Sequence, residues 1–409
     1  MTLRSTLSHP YIKRFYIARF ISNFGNGMGP IALAFGILHL DNGSASELGL
    51  VLAAMTISML CVLPFGGVIA DKYGRIRMFA IADIVGGAVL LVQVYYFHTG
   101  HVPIAALLFS NIGFGLMWGI FWPAFSGALP ALLPENQLQQ GNAINQFISN
   151  FALISGTAIG GFLVAQYGST FALGVDAFTF LISGILVIHF RHLTPPHPNH
   201  ENSMLEDLRE GWKVFRSFPW IVITVAGFSL IVMVWSGSEG VLGPLIALKY
   251  FHGAKSWAFV LSCESAGYIV GSLIAMRIRI RHPMRFLTWI TFTISIYIFT
   301  LAKPQSIIVI AIAGFMWGIT LDLWGSLWST AFQRTIPREA LSRASAFDGF
   351  GTMMLRPVGL AIAGPLATWI GLSHTLELFA GVTAVVILAM ALIPAVRSME
   401  LPAPLTGNS

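Results

Sequence analysis

The sequence predicts an all-α polytopic membrane protein with twelve transmembrane helices in two pseudo-symmetric six-helix halves. Three observations carry that prediction: 56% of the 409 residues are hydrophobic against 10% charged, the apolar residues gather into long runs, and one stretch of the chain repeats another. A soluble domain carries about 25% charged residues. A spanning helix takes about 20 mostly apolar residues, so twelve of them use roughly 240 and leave only short connections. The net charge of +6 is spread between the apolar runs, whereas a nucleic-acid binder gathers its Lys and Arg on one face, so no nucleic-acid partner is expected.

In order, the runs cover about 15–40, 47–70, 78–98, 102–128, 143–166, 169–190, 220–247, 256–276, 285–302, 306–331, 345–370 and 375–396. Arg4, Lys13 and Arg14 ahead of the first run resemble the start of a secretory signal. The run outlasts an apolar core of about 15 residues and lacks an Ala-x-Ala cleavage site, so it is read as an uncleaved first span. With the N-terminus inside, 18 of the 23 Lys and Arg fall in cytoplasmic segments, while Lys249, Lys255 and Lys303 fall outside and Arg19 and Arg356 lie within spans. That bias follows the positive-inside rule and puts both termini in the cytoplasm, with the chain crossing the cell (inner) membrane many times. Barrel strands would alternate over segments of about 10 residues, a pattern that is missing. Cys61 and Cys263 sit inside apolar runs and read as small buried hydrophobes, not as a disulfide or a metal site.

Residues 1–190 are expected to form the first half, 191–219 a cytoplasmic linker, 220–396 the second half and 397–409 a cytoplasmic tail. Pro195, Pro196 and Pro198 break the helical pattern in the linker. Ser203 with Glu206 is a capping-box pattern, and Leu205, Leu208, Trp212 and Phe215 make an apolar stripe between charges. A helix lying on the cytoplasmic membrane surface fits that stripe, as does a solvated connector.

Shifted by 203 residues, segment 134–168 aligns with 337–371, with ten identities in 35 positions: Pro134, Leu138, Ala143, Phe147, Gly156, Ala158, Ile159, Gly161, Leu163 and Gly168. About one in ten is expected by composition. Gly115-Leu-Met-Trp-Gly119 likewise echoes Gly314-Phe-Met-Trp-Gly318. The fourth and fifth spans therefore correspond to the tenth and eleventh. Parallel halves of this kind are the mark of one large class of transporters, with the substrate site near the midplane between them.

Between the second and third runs lies Gly67-Val-Ile-Ala70-Asp71-Lys-Tyr-Gly74-Arg75-Ile-Arg77. Gly67 suits close approach of the second helix to a neighbour, Gly74 suits a tight turn, and Asp71 is a charge that a helix N-terminus attracts. This segment resembles the signature loop of the major facilitator superfamily, and the twelve spans, the duplication and the central linker extend the resemblance over nearly the whole chain. Arg19-Phe-Ile-Ser22-Asn-Phe-Gly25 is similar to the opening of the first helix in the macrolide-efflux and siderophore-export branch of the drug:proton antiporters. The family resemblance implies that Asp71 docks on the N-terminus of the eleventh helix and that Arg75 and Arg77 belong to a latch that closes the cytoplasmic side. Asp348, expected in the first turn of that helix, is the candidate partner for Arg75. The matching stretch of the second half ends in Arg277, Arg279, Arg281 and Arg285 with no acid at the Asp71 position, so a latch there is degenerate.

An ionisable residue inside a span costs a few kcal/mol on insertion scales and is a functional hypothesis by default. Glu239, Glu264 and Asp322, in the seventh, eighth and tenth spans, are the candidate proton sites; in the family architecture their helices border the central cavity. An enclosed site favours the neutral acid and a watered one the carboxylate, which couples protonation to the side that is open. Arg19 and Arg356 are candidate counter-charges, with static braces as the alternative, and Asp348 and Arg356 are eight residues apart on one helical face. Asp83 and Asp176 lie on spans that the family places at the periphery and read as packing residues. Many proton antiporters of the family carry an Arg in the fourth helix; this one has Asn111 near that level and no charge.

Trp118, Trp122 and Phe125 in the fourth span, and Trp317, Trp324 and Trp328 in the tenth, form stripes that either pack helices or offer stacking surfaces to a bulky ligand. With Asn23 and Asn111, the tryptophans Trp118, Trp122, Trp317 and Trp324 are the candidate cavity residues. Gly156, Gly160 and Gly161, and Gly267 with Gly271, allow close helix contact. Neither a Gly-x-x-x-x-Gly-Lys phosphate loop nor a His-Glu-x-x-His zinc motif occurs, which argues against an ATP-driven pump and an intramembrane hydrolase. No catalytic residue, cofactor or metal is expected. The expected function is secondary active transport by alternating access, a proton-coupled efflux of drugs or amphipathic small molecules by a monomer in the lipid bilayer. The alternatives are a carrier of an endogenous metabolite, siderophore or lysolipid, and a transporter-like sensor that no longer transports.

Overall fold

Continuous apolar sequence in lipid leaves backbone groups only their own chain to bond, and the chain answers with helices. A computed structural model describes residues 9–126, 128–194, 204–278, 280 and 282–399, and no strand occurs among them. The helices are α1 (Ile12–Leu38), α2 (Ala45–Tyr73), α3 (Arg75–Thr99), α4 (Ile104–Ser126), α5 (138–167), α6 (169–188), α7 (Pro219–Tyr250), α8 (Ala254–Ala275), α9 (Pro283–Ala302), α10 (Ile307–Thr335), α11 (338–369) and α12 (Leu372–Leu392). Ten stretches are long and apolar enough to cross a membrane, with mean hydropathy of 1.2–2.3; α5 and α6 count there as one, and α1, diluted by Asn23, Asn26 and several glycines, falls outside that set.

Local sequence explains where these helices begin, break and bend. Ser44 caps α2 through a reciprocal pair with Glu47, its hydroxyl accepting from the Glu47 amide at 3.2 Å. The α5–α6 stretch runs Leu138–Ile188 and breaks at Gly168, whose φ of 82° suits glycine alone. In α7 one turn widens to a π-helix over Ser238–Leu242, just ahead of Pro244, which has no amide hydrogen to give a regular ladder. α11 consists of two arms, Arg338–Met353 and Arg356–Trp369, with Pro357 removing a ladder hydrogen bond at the junction.

Two compact units emerge from the internal packing: Met1–Asn199 with Gly240–Ser262 and Leu360–Pro365, and His200–Glu239 with Cys263–Gly359 and Leu366–Ser409. The first therefore takes in stretches of α7, α8 and α11 from beyond residue 190. Its core gathers Phe15, Phe79, Phe121, Leu129 and Phe190. In the second, the core gathers Trp220, Leu287, Trp324, Phe332 and Val396, together with Phe215 of the connecting helix Met204–Arg216. Trp212 and Phe215 of that helix meet Phe347 of α11 at ring distances of 5.5 and 6.1 Å, so its apolar stripe packs on protein. Arg4, Pro195, Pro196, Pro198, Ser203 with its expected cap, Arg279, Arg281 and the tail from 400 onward lie outside the described residues, as do the side chains of Leu205 and Leu208.

Candidate functional site

The signature segment is more helical than a loop. α2 continues through Asp71 to Tyr73, and the turn is a single residue, Gly74, at φ 92°. A side chain there would meet the Thr194 carbonyl, and the Thr194 hydroxyl accepts from the Ile76 amide at 2.9 Å, so the end of the first half is tied to this turn. Arg75 donates through Nε to Asp71 Oδ1 at 2.5 Å across one turn, while Arg77 is exposed. Close packing of α2 falls one residue earlier than expected. A Cβ on Gly66 would run into the Gly119 carbonyl of α4, whereas Gly67 has only ordinary contact with Pro123. Helical phase decides that difference, since adjacent residues point about 100° apart.

Asp348 is not in a first turn, because α11 begins at Arg338, ten residues ahead of it. It accepts from Trp328 Nε1 of α10 at 2.9 Å. Asp348 and Arg356 lie on different arms of α11, with the junction at Met354 and Leu355 between them.

Within the second unit, two of the three expected acids come together. Glu239, on the π turn of α7, accepts from Trp235 Nε1 at 2.8 Å, and Glu264 of α8, 2% exposed, accepts from the Tyr268 hydroxyl at 2.6 Å. The two carboxyl groups interact electrostatically with each other and with the buried Tyr297 of α9, and Glu239 also with Arg356 at the start of the second α11 arm. The site is assembled by tight backbone approach. Added side chains at Gly318 and Gly267 would strike the backbones of Glu264 and Phe315, and one at Gly359 would strike the Met233 carbonyl. Asp322 stands apart. It lies beside Gly271 and has a buried oxygen without a hydrogen-bond partner.

In the first unit, Arg19 is 4% exposed, donates through Nη2 to Asn23 at 3.1 Å and lies over the ring of Phe125 at 4.1 Å. Asn23 in turn donates to Ser149 of α5 at 2.9 Å. Asn111 is buried and donates to the Leu107 carbonyl of its own helix, which satisfies it locally.

Apart from Trp122, the tryptophans of the two stripes pack against other side chains of the protein. Trp118 stacks between Phe114 and Phe121, Trp122 is exposed, and Trp317 is fully buried against Trp235 at 5.6 Å. Trp324 donates to the Thr291 hydroxyl at 2.7 Å. Trp235, Tyr268 and Tyr297 are site residues that sequence reasoning missed. Trp235 and Tyr268 each lie four residues from an intramembrane acid, a spacing that does signal contact on a helix.

Long apolar helices that bury acids in each other's company define a multi-pass membrane protein. The chain belongs to the Major Facilitator Superfamily, whose model matches residues 15–254. Among its relatives, the multidrug efflux pump Tap of Mycolicibacterium fortuitum is 26% identical over 369 residues, covering 86% of this chain and 88% of that protein. Macrolide efflux protein A of Streptococcus pyogenes is 22% identical over 382 residues, covering 89% and 92%. Among solved structures, the nucleoside transporter NupG has a TM-score of 0.72 at 15% identity, covering 93% of this chain and 98% of that one. A bacterial homologue of the iron transporter ferroportin in an inward-facing state has a TM-score of 0.72 at 12% identity, covering 96% and 100%. These likenesses at low identity carry the fold. This protein is a membrane transporter of small-molecule substrates, and not an enzyme.

Proposed function

We propose that this protein is a proton-coupled exporter of drugs or other amphipathic small molecules, with Glu239 and Glu264 as the proton site. The observation that carries this reading is the pair itself: two intramembrane carboxylates on different helices, held by Trp235 and Tyr268, with Arg356 in electrostatic reach. A proton on the pair is stable while the site is closed. Its loss to water on one side leaves two like charges that push α7 and α8 apart, and Arg356 at the α11 break moves to whichever acid is ionised. A proton moving down 100 mV supplies about 2.3 kcal/mol, enough for a roughly fiftyfold gradient of solute. The names of the relatives support efflux and a drug-like cargo. Asp322, alone beside Gly271, is left with a secondary role, and Arg19 serves the first unit.

In this reading twelve helices cross the cell (inner) membrane with both termini cytoplasmic, 1–190 and 220–396 are the two halves, and 191–219 links them. Asp71 and Arg75, with Gly74 at the turn and Arg77 beside it, form the cytoplasmic latch, and a monomer suffices. Ethidium efflux from proteoliposomes, with and without an imposed pH gradient, tests it. Gradient-dependent extrusion lost in Glu264→Gln supports the exporter, and its loss in Asp71→Asn supports the latch. A folded, inserted protein that moves no ethidium under either condition points instead to a dedicated metabolite, siderophore or lysolipid carrier.

A further inference from the structure

The first unit holds a buried polar track that the proton site above does not use. Asp83 of α3 is 0% exposed in the interior, and the Ser183 hydroxyl of α6 donates to its Oδ2 at 2.5 Å while Oδ1 has no donor. One turn from Ser183 on the same face of α6 is Thr179, and one turn further is Asp176, 3% exposed. The Thr179 hydroxyl donates to the Asp176 backbone carbonyl at 2.7 Å, so it lies beside the carboxyl group, whose Oδ1 no donor fixes. α1 leaves room for this track. Side chains added at Gly25 or Gly29 would land on Asp176 or Thr179, and Ser22, three residues before Gly25 on that face, is a buried hydroxyl with no partner.

Charges around the track are few. Arg19 of α1 interacts electrostatically with Asp83, has two buried nitrogens without an acceptor and makes no ion pair with it. α4 and α5 contain no charged residue, and Asp176 is the one charge of α6. α4 faces Asp83 with Phe114, Trp118 and Phe121 around a narrow crevice. Along α6 the like-facing order is therefore carboxyl, hydroxyl, hydroxyl, over seven residues or about 10 Å of helix rise, with the Asp83 carboxyl of α3 bonded at the far end. Packing alone has no use for that order: two acids and two hydroxyls in an apolar core cost stability that aliphatic residues would not.

We propose that Asp176, Thr179, Ser183 and Asp83 form a proton relay along α6, a second protonation path in the first unit. It deepens the proton-coupled reading, on which its purpose rests. In the step itself the Asp176 carboxyl gives its proton to the Thr179 oxygen as that hydroxyl releases its own to Ser183. Ser183 releases its own to Asp83, so one carboxylate and one carboxylic acid exchange places and both hydroxyls are regenerated. Neutral Asp83 then leaves Arg19 without its counter-charge, which passes the event to α1 and, through Asn23 and Ser149, to α5.

Acid-jump infrared spectroscopy of the purified, lipid-reconstituted protein tests the relay without any transported substrate. The Asp83 carboxyl band is identified by its loss in Asp83→Asn. Thr179→Val and Ser183→Ala are expected to slow its appearance by about tenfold or more, Thr179→Ser to restore it, and Glu264→Gln to leave it unmoved. A protonation rate that is the same in Thr179→Val, Ser183→Ala and the unaltered protein overturns the relay. Gradient-independent ethidium efflux beside a hydroxyl-dependent rate would overturn the coupling reading alone. Should Ser183→Ala fail to fold, Thr179→Val against Thr179→Ser decides the question unaided.

Discussion

α5 and α11 align at an offset of 203 residues, and at three aligned glycines they behave alike. Gly156 lies under the Phe24 carbonyl of α1, and Gly359 under the Met233 carbonyl of α7. Gly161 and Gly364 each lie against another helix, at Ala258 and at Ser46, and Gly168 and Gly371 end their helices at φ 82° and 90°. Just ahead of those points the two helices part. α5 is unbroken at Leu153 and Ile154, whereas α11 has Arg356 and Pro357 there and breaks. Asn145 of α5 corresponds to Asp348 of α11. The shared positions set how closely helices lie together, while the charged and bent positions are where the copies differ.

If spacing is the common part, breaking it should be equally severe in both copies. Gly156→Leu and Gly359→Leu should each destabilise the protein by about 3 kcal/mol or more, the upper range for overpacking, or prevent folding. Gly174→Leu and Gly325→Leu, where an added Cβ meets nothing within 4 Å, should be mild. Thermal unfolding in detergent reads the difference. The functional part should instead be unequal. Glu264→Gln should lower gradient-driven ethidium efflux about tenfold or more, the equivalent of about 1.4 kcal/mol, with Asp322→Asn well below that. Equal losses in the two variants would restore Asp322 to the proton site.

Much of this fold was legible in the sequence because lipid imposes one rule, that apolar runs become helices, and the run boundaries near Leu38, Thr99 and Ala302 reflect it. The Gly74 turn and the close approach at Gly156 and Gly267 were legible for a similar reason, since glycine in a span has few other uses. Three things were not. The π turn at Glu239 and the break at Arg356 depend on how Pro244 and Pro357 are accommodated, which a single hydropathy profile does not encode. The longer first arm of α11 displaced Asp348 from a terminus to an interior turn. The tryptophans of the stripes, Trp122 apart, were open to two readings by spacing and pack against other side chains because their indole groups found partners such as Thr291 and Asp348. Asp83 and Asp176 looked like isolated packing residues until α6 brought Ser183 and Thr179 between them.

The α11 break gives a sharper test of the difference between the copies. Pro357→Ala restores the amide hydrogen that α5 has at its counterpart, Ile154, and lets the ladder run through. Pro357 stands in the first turn of the second arm, so the gain in stability should stay below the about 3 kcal/mol that proline costs in a helix interior, together with slower efflux because Arg356 loses its place at the junction of the two arms. A more stable protein that transports as fast as before would show the break to be incidental.

The smallest expected effect concerns Gly168 and Gly371. Both hold positive φ, and an added Cβ meets nothing within 4 Å at Gly168 and only His374 Nδ1, at 3.6 Å, at Gly371. With ψ of 167° and 153° both lie in a region essentially reserved for glycine, so the penalty for alanine is purely conformational, about 1–3 kcal/mol at each site. Equal shifts in unfolding temperature for Gly168→Ala and Gly371→Ala are expected, with efflux rates preserved, because these turns join helices and touch no charge. A clearly larger shift at Gly371 would mean that the end of α11 carries strain that α5 lacks, and would tie that turn to the α11 break.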